Sequence, residues 1–168
     1  MRDKPYHLYS DTFDQSPCPK LDSGDYLVYR REKVNALKTF ESCCRDIKTE
    51  YYDAGFSVNH SQYCKSPYDV LFLWDDTTND YLLKEEYLPF QAKIESVHQI
   101  KISFQSSSIT VIIKYCPEKS NISHCNIIFN PQIGEFKTSD KKKLRAEIVI
   151  FLSNTFHKVE DSDLSSTP

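Results

Sequence analysis

Apolar and polar residues alternate along two short segments of the chain, on either side of the polar residues 105–108. The apolar positions of these two segments are Ile100, Ile102, Phe104, Ile109, Val111, Ile113 and Tyr115. A period of two on both sides of a polar loop is typical of an antiparallel hairpin with one buried face. Ile112 interrupts the polar face, so that face is expected to be partly covered as well. The pattern predicts a hairpin over residues 99–116.

A different period precedes this hairpin, because apolar residues recur there at steps of three and four. This stripe comprises Val34, Leu37, Phe40, Cys44, Ile47 and Tyr51. Charged residues occupy the other faces, and Glu41 and Arg45 form a favourable pair four residues apart. We therefore predict a long helix over residues 26–53. It is expected to pack on the sheet, and a short dimerising coiled coil is the alternative.

The helical period returns near the C-terminus, where a second helix is predicted to start near Ser139 or Asp140. Its apolar face is expected to consist of Leu144, Ile148, Phe151, Leu152 and Thr155. Before it, residues 122–129 are predicted to form a strand.

Two apolar segments between the first helix and the hairpin are harder to assign. Residues 70–74 form an unbroken apolar run bounded by turn residues, which favours a strand covered on both faces. Residues 81–90 fit either a strand or a short helix, and Pro89 makes the segment an edge or a break. The predicted fold class is therefore α+β, with an antiparallel meander of four to five strands flanked by the N-terminal and C-terminal helices.

The chain divides into three parts by composition. Residues 1–25 contain three prolines and no sustained period, which predicts an extended N-terminal arm. Residues 26–158 are predicted to form a single α+β domain, since a chain of 168 residues is most simply one domain with tails. Residues 159–168 are acidic and rich in serine, which predicts a disordered tail.

The order of elements over residues 26–157, with a meander between two helices, resembles that of RWD-type modules. It also resembles the related globular ends of kinetochore subunits. The resemblance is one of element order, and it transfers no functional residues. It implies a docking domain and hence a scaffold or adaptor, and an association with chromosomes or kinetochores is the expectation that goes with it.

Composition excludes several classes of function. Hydrophobic residues make up 39% and charged residues 27%, and the net charge is −3, so global charge does not call for a nucleic-acid partner. The N-terminus lacks the apolar core of a secretory signal, and no run approaches the ~20 apolar residues of a membrane span. We therefore expect an intracellular protein, nuclear or cytoplasmic, whose cysteines are reduced. The three scattered glycines argue against a phosphate-binding loop.

No catalytic set, metal site or cofactor is predicted from the reactive residues. The adjacent Cys43 and Cys44 lack the CxxC spacing of redox folds and point about 100° apart on a helix. His124 and Cys125, with Cys116, lack the paired short spacings of a zinc site. Asp75, Asp76 and Asp80 have the spacing of hard-cation ligands, but a solvated turn is the simpler interpretation.

Two groups of residues are candidates for binding a partner. The first is aromatic and basic, from the arm and the predicted first helix: Tyr6, Tyr9, Phe13, Arg30, Arg31 and Lys38. The second is a cationic cluster that opposes the dipole of the predicted second helix and so suggests an external anion or acidic partner: Lys141, Lys142, Lys143 and Arg145.

Three functional hypotheses follow. The first is a non-catalytic protein–protein interaction subunit, a scaffold or adaptor within a hetero-oligomer, and the eleven tyrosines and ten phenylalanines favour it. The second is a nucleic-acid-associated subunit that uses the basic cluster at residues 141–145. The third is a small thiol-dependent enzyme of the conjugating type, centred on Cys125, although the chain has no His-Pro-Cys motif.

Overall fold

Nine strands dominate the part of the chain that the structure describes. The computed structural model describes Pro5, Leu8 and residues 18–22, 26–33, 55–64, 66–118 and 120–160. The strands are β1 Leu27–Lys33, β2 Phe56–His60, β3 Phe72–Asp75, β4 Asp80–Leu83, β5 Tyr87–Lys93, β6 Lys101–Phe104, β7 Ser107–Tyr115, β8 His124–Asn130 and β9 His157–Lys158. The helices are α1 Ile94–His98 and α2 Thr138–Thr155, with 3₁₀ turns at Pro67–Leu71 and Ile133–Glu135.

Seven of these strands form one antiparallel sheet in the order β6-β7-β8-β2-β1-β5-β9, which curves into a half-barrel. β1 stands near the middle of this sheet, because it pairs with β5 along its whole length and with β2 at Val28 and Tyr29. The remaining two strands, β3 and β4, form a separate hairpin.

The inner face of the sheet carries the main core, and α2 packs against it. Apolar side chains from β1, β2, β5, β6, β7 and β8 meet four buried residues of α2: Leu144, Ile148, Val149 and Leu152. Alternation in β7 and β8 produces this face, since Ile113 and Ile127 are cross-strand partners that both point inward. Burial of this face is the main source of stability that the fold offers.

A smaller cluster covers the outer face of β1. It contains Tyr29, Cys64, Val70 and Leu71, which are all buried. The chain from β2 to β3 lies over β1 to make this cover. β1 is therefore enclosed on both faces, with Val28 in the main core and Tyr29 in the outer cluster.

The predicted fold class is wrong. The structure is mostly β, and among the described residues only α2 is a helix of more than five residues. The predicted helix over residues 26–53 begins with a strand, β1, while residues 34–54 lie outside the described part of the chain. The resemblance to RWD-type modules depended on a helix before the meander, so it fails with that prediction.

Smaller predictions also need correction. Residues 70–74 are not one covered strand, because a 3₁₀ turn ends at Leu71 and Trp74 in β3 is exposed. Residues 81–90 contain two strands, β4 and β5, and Pro89 lies inside β5. Pro89 lies beside the edge strand β9, and its carbonyl oxygen still accepts a hydrogen bond from the backbone N–H of Val159 at 3.1 Å, so β5 tolerates the missing N–H.

Three predicted elements are present. The strand predicted over residues 122–129 is β8, which runs from His124 to Asn130. β6 and β7 form the hairpin within residues 99–116, with a two-residue turn at Gln105 and Ser106 instead of the expected four-residue loop. α2 starts at Thr138 and buries three of the five residues predicted for its apolar face.

Candidate protein-docking surface

The structure uses the two described residues of the first predicted partner site, Arg30 and Arg31, inside the fold. Arg30 donates from Nε to Glu32 at 2.5 Å and from Nη1 to the carbonyl oxygen of Ser57 at 2.6 Å. Its guanidinium lies 3.6 Å from the centre of the Phe56 ring, a cation–π contact. Arg30 therefore links β1 to β2 beyond Val28 and Tyr29, the residues at which these two strands pair.

Arg31 points to the other face of β1 and supports the chain before β3. Its Nη1 donates to the carbonyl oxygen of Val70 at 3.1 Å. Burial lowers the pKa of the Arg31 guanidinium from its ordinary value, and the neighbouring Arg30 lowers it further. The other members of that predicted site, Tyr6, Tyr9, Phe13 and Lys38, lie outside the described residues.

The basic cluster of the second predicted site lies at the start of α2. Lys142 and Lys143 are exposed, and Lys141 and Arg145 are half-buried. Lys142 and Arg145 line a cleft of about 190 Å³ with Ala146 and Val149. The predicted residues are therefore brought together on one helix.

The β3–β4 hairpin is the most distinctive exposed element among the described residues. A tight turn forms its tip, where Asp75 Oδ1 accepts hydrogen bonds from the backbone N–H groups of Thr77 and Thr78, both at 3.1 Å. Asn79 adopts φ 51°, a left-handed conformation that asparagine tolerates better than most residues. Lys84 Nζ lies 2.9 Å from Asp75 Oδ2. These contacts fix the hairpin without any contribution from the main core.

Among the described residues, hydrogen bonds at the base and on one side of this hairpin attach it to the rest of the molecule. At its base, the backbone N–H of Lys84 donates to the carbonyl oxygen of Leu71 at 3.0 Å, next to the Val70 carbonyl that Arg31 holds. On its side, the hydroxyl of Tyr81 donates to the carbonyl oxygen of Ser120 at 3.1 Å. The hairpin is therefore anchored in position while one of its faces remains open.

The open face of the hairpin is apolar. Trp74 pairs across the strands with Tyr81, and Phe72 pairs with Leu83, so these four side chains share one face. The Trp74 and Tyr81 rings meet edge to face with centroids 5.3 Å apart. Trp74 is 49% exposed and Leu83 is 36% exposed, whereas Phe72 at the base is buried. We call Trp74, Tyr81 and Leu83 the hairpin patch.

The hairpin and the residues that follow it are rich in carboxylates. Residues 72–86 contain five carboxylates and one lysine, a net charge of −4. The whole chain carries −3, so all the other residues together carry +1. Asp76 lies closest to the patch, because it accepts a hydrogen bond from Trp74 Nε1 at 2.9 Å. The negative charge of the protein is thus concentrated on this element.

The hairpin patch is not among the predicted sites, because the apolar run at residues 70–74 indicates that Trp74 lies in a strand covered on both faces. A signal for the correct structure is present in the sequence. Six polar residues at 75–80 separate two short apolar segments, which is the pattern of a hairpin loop. The chain's only tryptophan stands directly before that loop, where a hairpin places a side chain near the exposed tip.

Ser57 and His124 form a cross-strand contact on the outer face of the sheet. His124 Nδ1 donates to the carbonyl oxygen of Cys116 at 2.7 Å, which leaves Nε2 to accept from the Ser57 hydroxyl at 2.9 Å. A nucleophilic serine also needs N–H donors aimed at the developing oxyanion. Here Ser57 stands in a regular ladder opposite Asn126, where N–H groups bond between strands instead of pointing out of the sheet. We interpret the pair as a link between β2 and β8.

Cys125, the proposed nucleophile of the thiol-enzyme hypothesis, is fully buried in the main core. Burial raises the pKa of its thiol to about 12, and the nearby Cys116 and Cys18 add to the effect. A thiol with such a pKa stays protonated at neutral pH, whereas the thiolate is the nucleophile. His124 points to the opposite face of β8, so the two side chains do not cooperate.

Two histidines hold residues 18–22 against the sheet. His60 Nε2 donates to the carbonyl oxygen of Lys20 at 2.9 Å, while its Nδ1 accepts from the backbone N–H of Gln62 at 3.0 Å. His98 Nε2 donates to the next carbonyl oxygen, that of Leu21, at 2.9 Å. Because Nδ1 of His60 is an acceptor, the bonding requires its neutral form. Burial lowers the pKa of His60, and its bond to Lys20 partly opposes that shift.

Comparison with protein-family models, with curated proteins and with solved structures finds no match for this chain. Within the described part of the chain, no group of three or more histidine, cysteine or acidic side chains is arranged to hold a metal ion. Nor does any helix among these residues have the length and apolar character to cross a membrane.

Proposed function

We propose that this protein is a non-catalytic interaction subunit that binds another protein through the hairpin patch. The observation that carries the proposal is the half-exposed Trp74, in edge-to-face contact with Tyr81 at the open face of an anchored hairpin. Tryptophan and tyrosine are the residues most enriched among those that dominate binding energies. A partner that covers this face would bury apolar area now in contact with water.

The construction of the hairpin supports the same proposal. The hydrogen bond from Tyr81 to Ser120 and the bond between Lys84 and Asp75 hold the hairpin before any partner arrives. A pre-formed surface loses less conformational entropy on binding than a flexible one. The four described cysteines are free thiols, which fits a subunit of a cytoplasmic or nuclear assembly.

Co-purification of a tagged chain from its own cells tests this proposal. Trp74→Ala is expected to release the partner, because loss of a central aromatic residue typically costs ~2 kcal/mol or more, about thirtyfold in affinity. The variant is expected to keep its fold, since Trp74 contributes nothing to the main core. Circular dichroism and the midpoint of thermal unfolding check that expectation.

Ile112→Ala is the matched control, because Ile112 is an exposed apolar residue, at 45%, on β7 and not part of the β3–β4 hairpin. It is expected to retain the partner at the level of the unmodified chain. Equal recovery of the partner with Trp74→Ala and Ile112→Ala would contradict the proposal, as would a chain that elutes alone as a monomer.

A further inference from the structure

The charge around the hairpin patch indicates what kind of partner it receives. We propose, on the basis of the proposed function, that the patch binds a basic segment of a partner protein and places an arginine or lysine side chain against Trp74. Charge complementarity supports this assignment, since residues 72–86 carry −4 while the remaining chain carries +1.

The geometry at Trp74 provides the first recognition element. Its ring meets Tyr81 edge to face at an angle of 74°, and Trp74 is still 49% exposed, so part of the indole is open to a ligand. Tryptophan is the best aromatic acceptor for a cation above its ring. The Asp76 carboxylate at the indole N–H, 2.9 Å away, adds negative charge at the rim of the same ring. A guanidinium or ammonium group over Trp74 would be attracted by both.

The surrounding carboxylates provide the second element. Asp75 is already used inside the hairpin, where the hydrogen bond with Lys84 holds the pKa of its carboxyl below its ordinary value. Asp76, Glu85 and Glu86 are exposed; Asp76 lies in the turn at the tip of the hairpin, and Glu85 and Glu86 follow the end of β4 at its base. A segment lying along the hairpin would therefore meet apolar side chains at its centre and carboxylates at both ends.

This arrangement favours a protein segment over a lone cation or a nucleic acid. Leu83 and the Tyr81 ring extend the patch beyond Trp74, so apolar side chains beside the basic residue would gain contact area. Phosphate backbones would be repelled by the same carboxylates. The matching occupant is a short segment that alternates basic and apolar residues.

Selection from a displayed library of random dodecapeptides on the full chain tests the inference. Enriched peptides are expected to carry a net positive charge with arginine or lysine next to apolar residues. The chain contains a single tryptophan, so each selected peptide can be titrated by the change in Trp74 fluorescence. Affinity is expected to fall as salt concentration rises, because the attracting charges are exposed.

A neutralised variant tests the role of the carboxylates while Trp74 stays in place. Asp76→Asn, Glu85→Gln and Glu86→Gln, made together, are expected to weaken the selected peptides about tenfold, and the asparagine keeps an acceptor for the indole N–H. The matched control neutralises three exposed carboxylates outside the hairpin: Glu95→Gln, Glu135→Gln and Glu147→Gln. The control is expected to bind as the unmodified chain does.

The outcomes separate this inference from the proposed function. Two outcomes would overturn the inference of a basic partner but not the docking surface. One is that the peptides that bind Trp74 are neutral or acidic. The other is that basic peptides bind the neutralised variant as tightly as they bind the unmodified chain. Binding to the Trp74→Ala variant, which lacks the fluorescent residue, is measured by calorimetry. Peptides that bind this variant with unchanged affinity would overturn both the basic partner and the docking surface. Failure to enrich any peptide would also count against the inference.

Discussion

Replacing Ile113 by alanine is expected to lower the free energy of unfolding by about 2–5 kcal/mol. Ile113 is 5% exposed and points into the main core from β7, opposite Ile127 on β8. Truncation there removes buried methylene groups and leaves a cavity that a sheet paired on both sides can fill only partly. Urea denaturation of the purified chain measures the loss through the transition midpoint.

The neighbouring residue is a strict control for this prediction. Ile112 is the same residue type on the same strand, but it points outward and is 45% exposed. Ile112→Ala is expected to change stability by no more than about 0.5 kcal/mol. Similar losses for both variants would mean that β7 does not present one face to the core, and the described register would then be wrong.

Replacing His60 by phenylalanine is expected to destabilise the protein by about 2 kcal/mol at pH 8 and to reduce its sensitivity to acid. The phenyl ring keeps most of the buried volume but leaves the carbonyl oxygen of Lys20 and the N–H of Gln62 without their partner. Both contacts are partly buried, and an unsatisfied group shielded from water costs up to about 1–3 kcal/mol. Denaturation at fixed pH gives this loss directly.

The acid response follows from the direction of the pKa shift. The folded-state pKa of His60 lies below its unfolded value near 6.5, so the unfolded chain takes up the proton first as the pH falls. His60 therefore contributes stability above pH ~6.5, and that contribution declines below it at up to about 1.4 kcal/mol per pH unit. The lowered pKa of the Asp75 carboxyl affects the stability of the fold only at lower pH, below about 4.

Unfolding free energies measured from pH 8 to pH 5 test this account of His60. The unmodified chain is expected to lose stability below pH ~6.5, and His60→Phe to lose less over the same interval. His157→Gln is the control for the loss of a histidine, because His157 is exposed on β9. Parallel pH profiles for the unmodified chain and His60→Phe would show that His60 is not held neutral in the fold.

The parts of the fold that can be predicted from the sequence have one buried and one solvated face. β7 alternates from Ile109 to Ile113, and α2 repeats its apolar residues from Leu144 to Leu152. Each element therefore shows its own period in the sequence. For the same reason the orientation of these elements can be predicted correctly even though the fold class cannot.

β1 could not be predicted because both of its faces are covered. Val28 enters the main core and Tyr29 the outer cluster, so the strand shows no alternation. The residues that cover the outer face of β1 follow β2 and are distant from β1 in the sequence. The local sequence pattern of β1 therefore does not indicate that this face is buried. Arg30 and Arg31 resembled exposed helix residues for the same reason, although tertiary contacts occupy both of them.

The docking surface also depends on contacts between residues that are distant in the sequence. The sequence supplies Trp74 and the acidic loop after it, but exposure of the indole results from how the hairpin is anchored at Leu71 and Ser120. Only the assembled structure shows that Tyr81 and Leu83 share its face. The apolar run at residues 70–74 by itself indicates burial.

Site-specific photocrosslinking tests the central claim, that the hairpin is the docking surface, most directly. A benzophenone amino acid can replace Leu83 on the hairpin, Ile112 on β7 or Ile150 on α2, which are 36%, 45% and 42% exposed. Irradiation in the cell extract is expected to produce a partner adduct from position 83 and none from the other two. An adduct from position 112 or 150, with none from position 83, would contradict the claim.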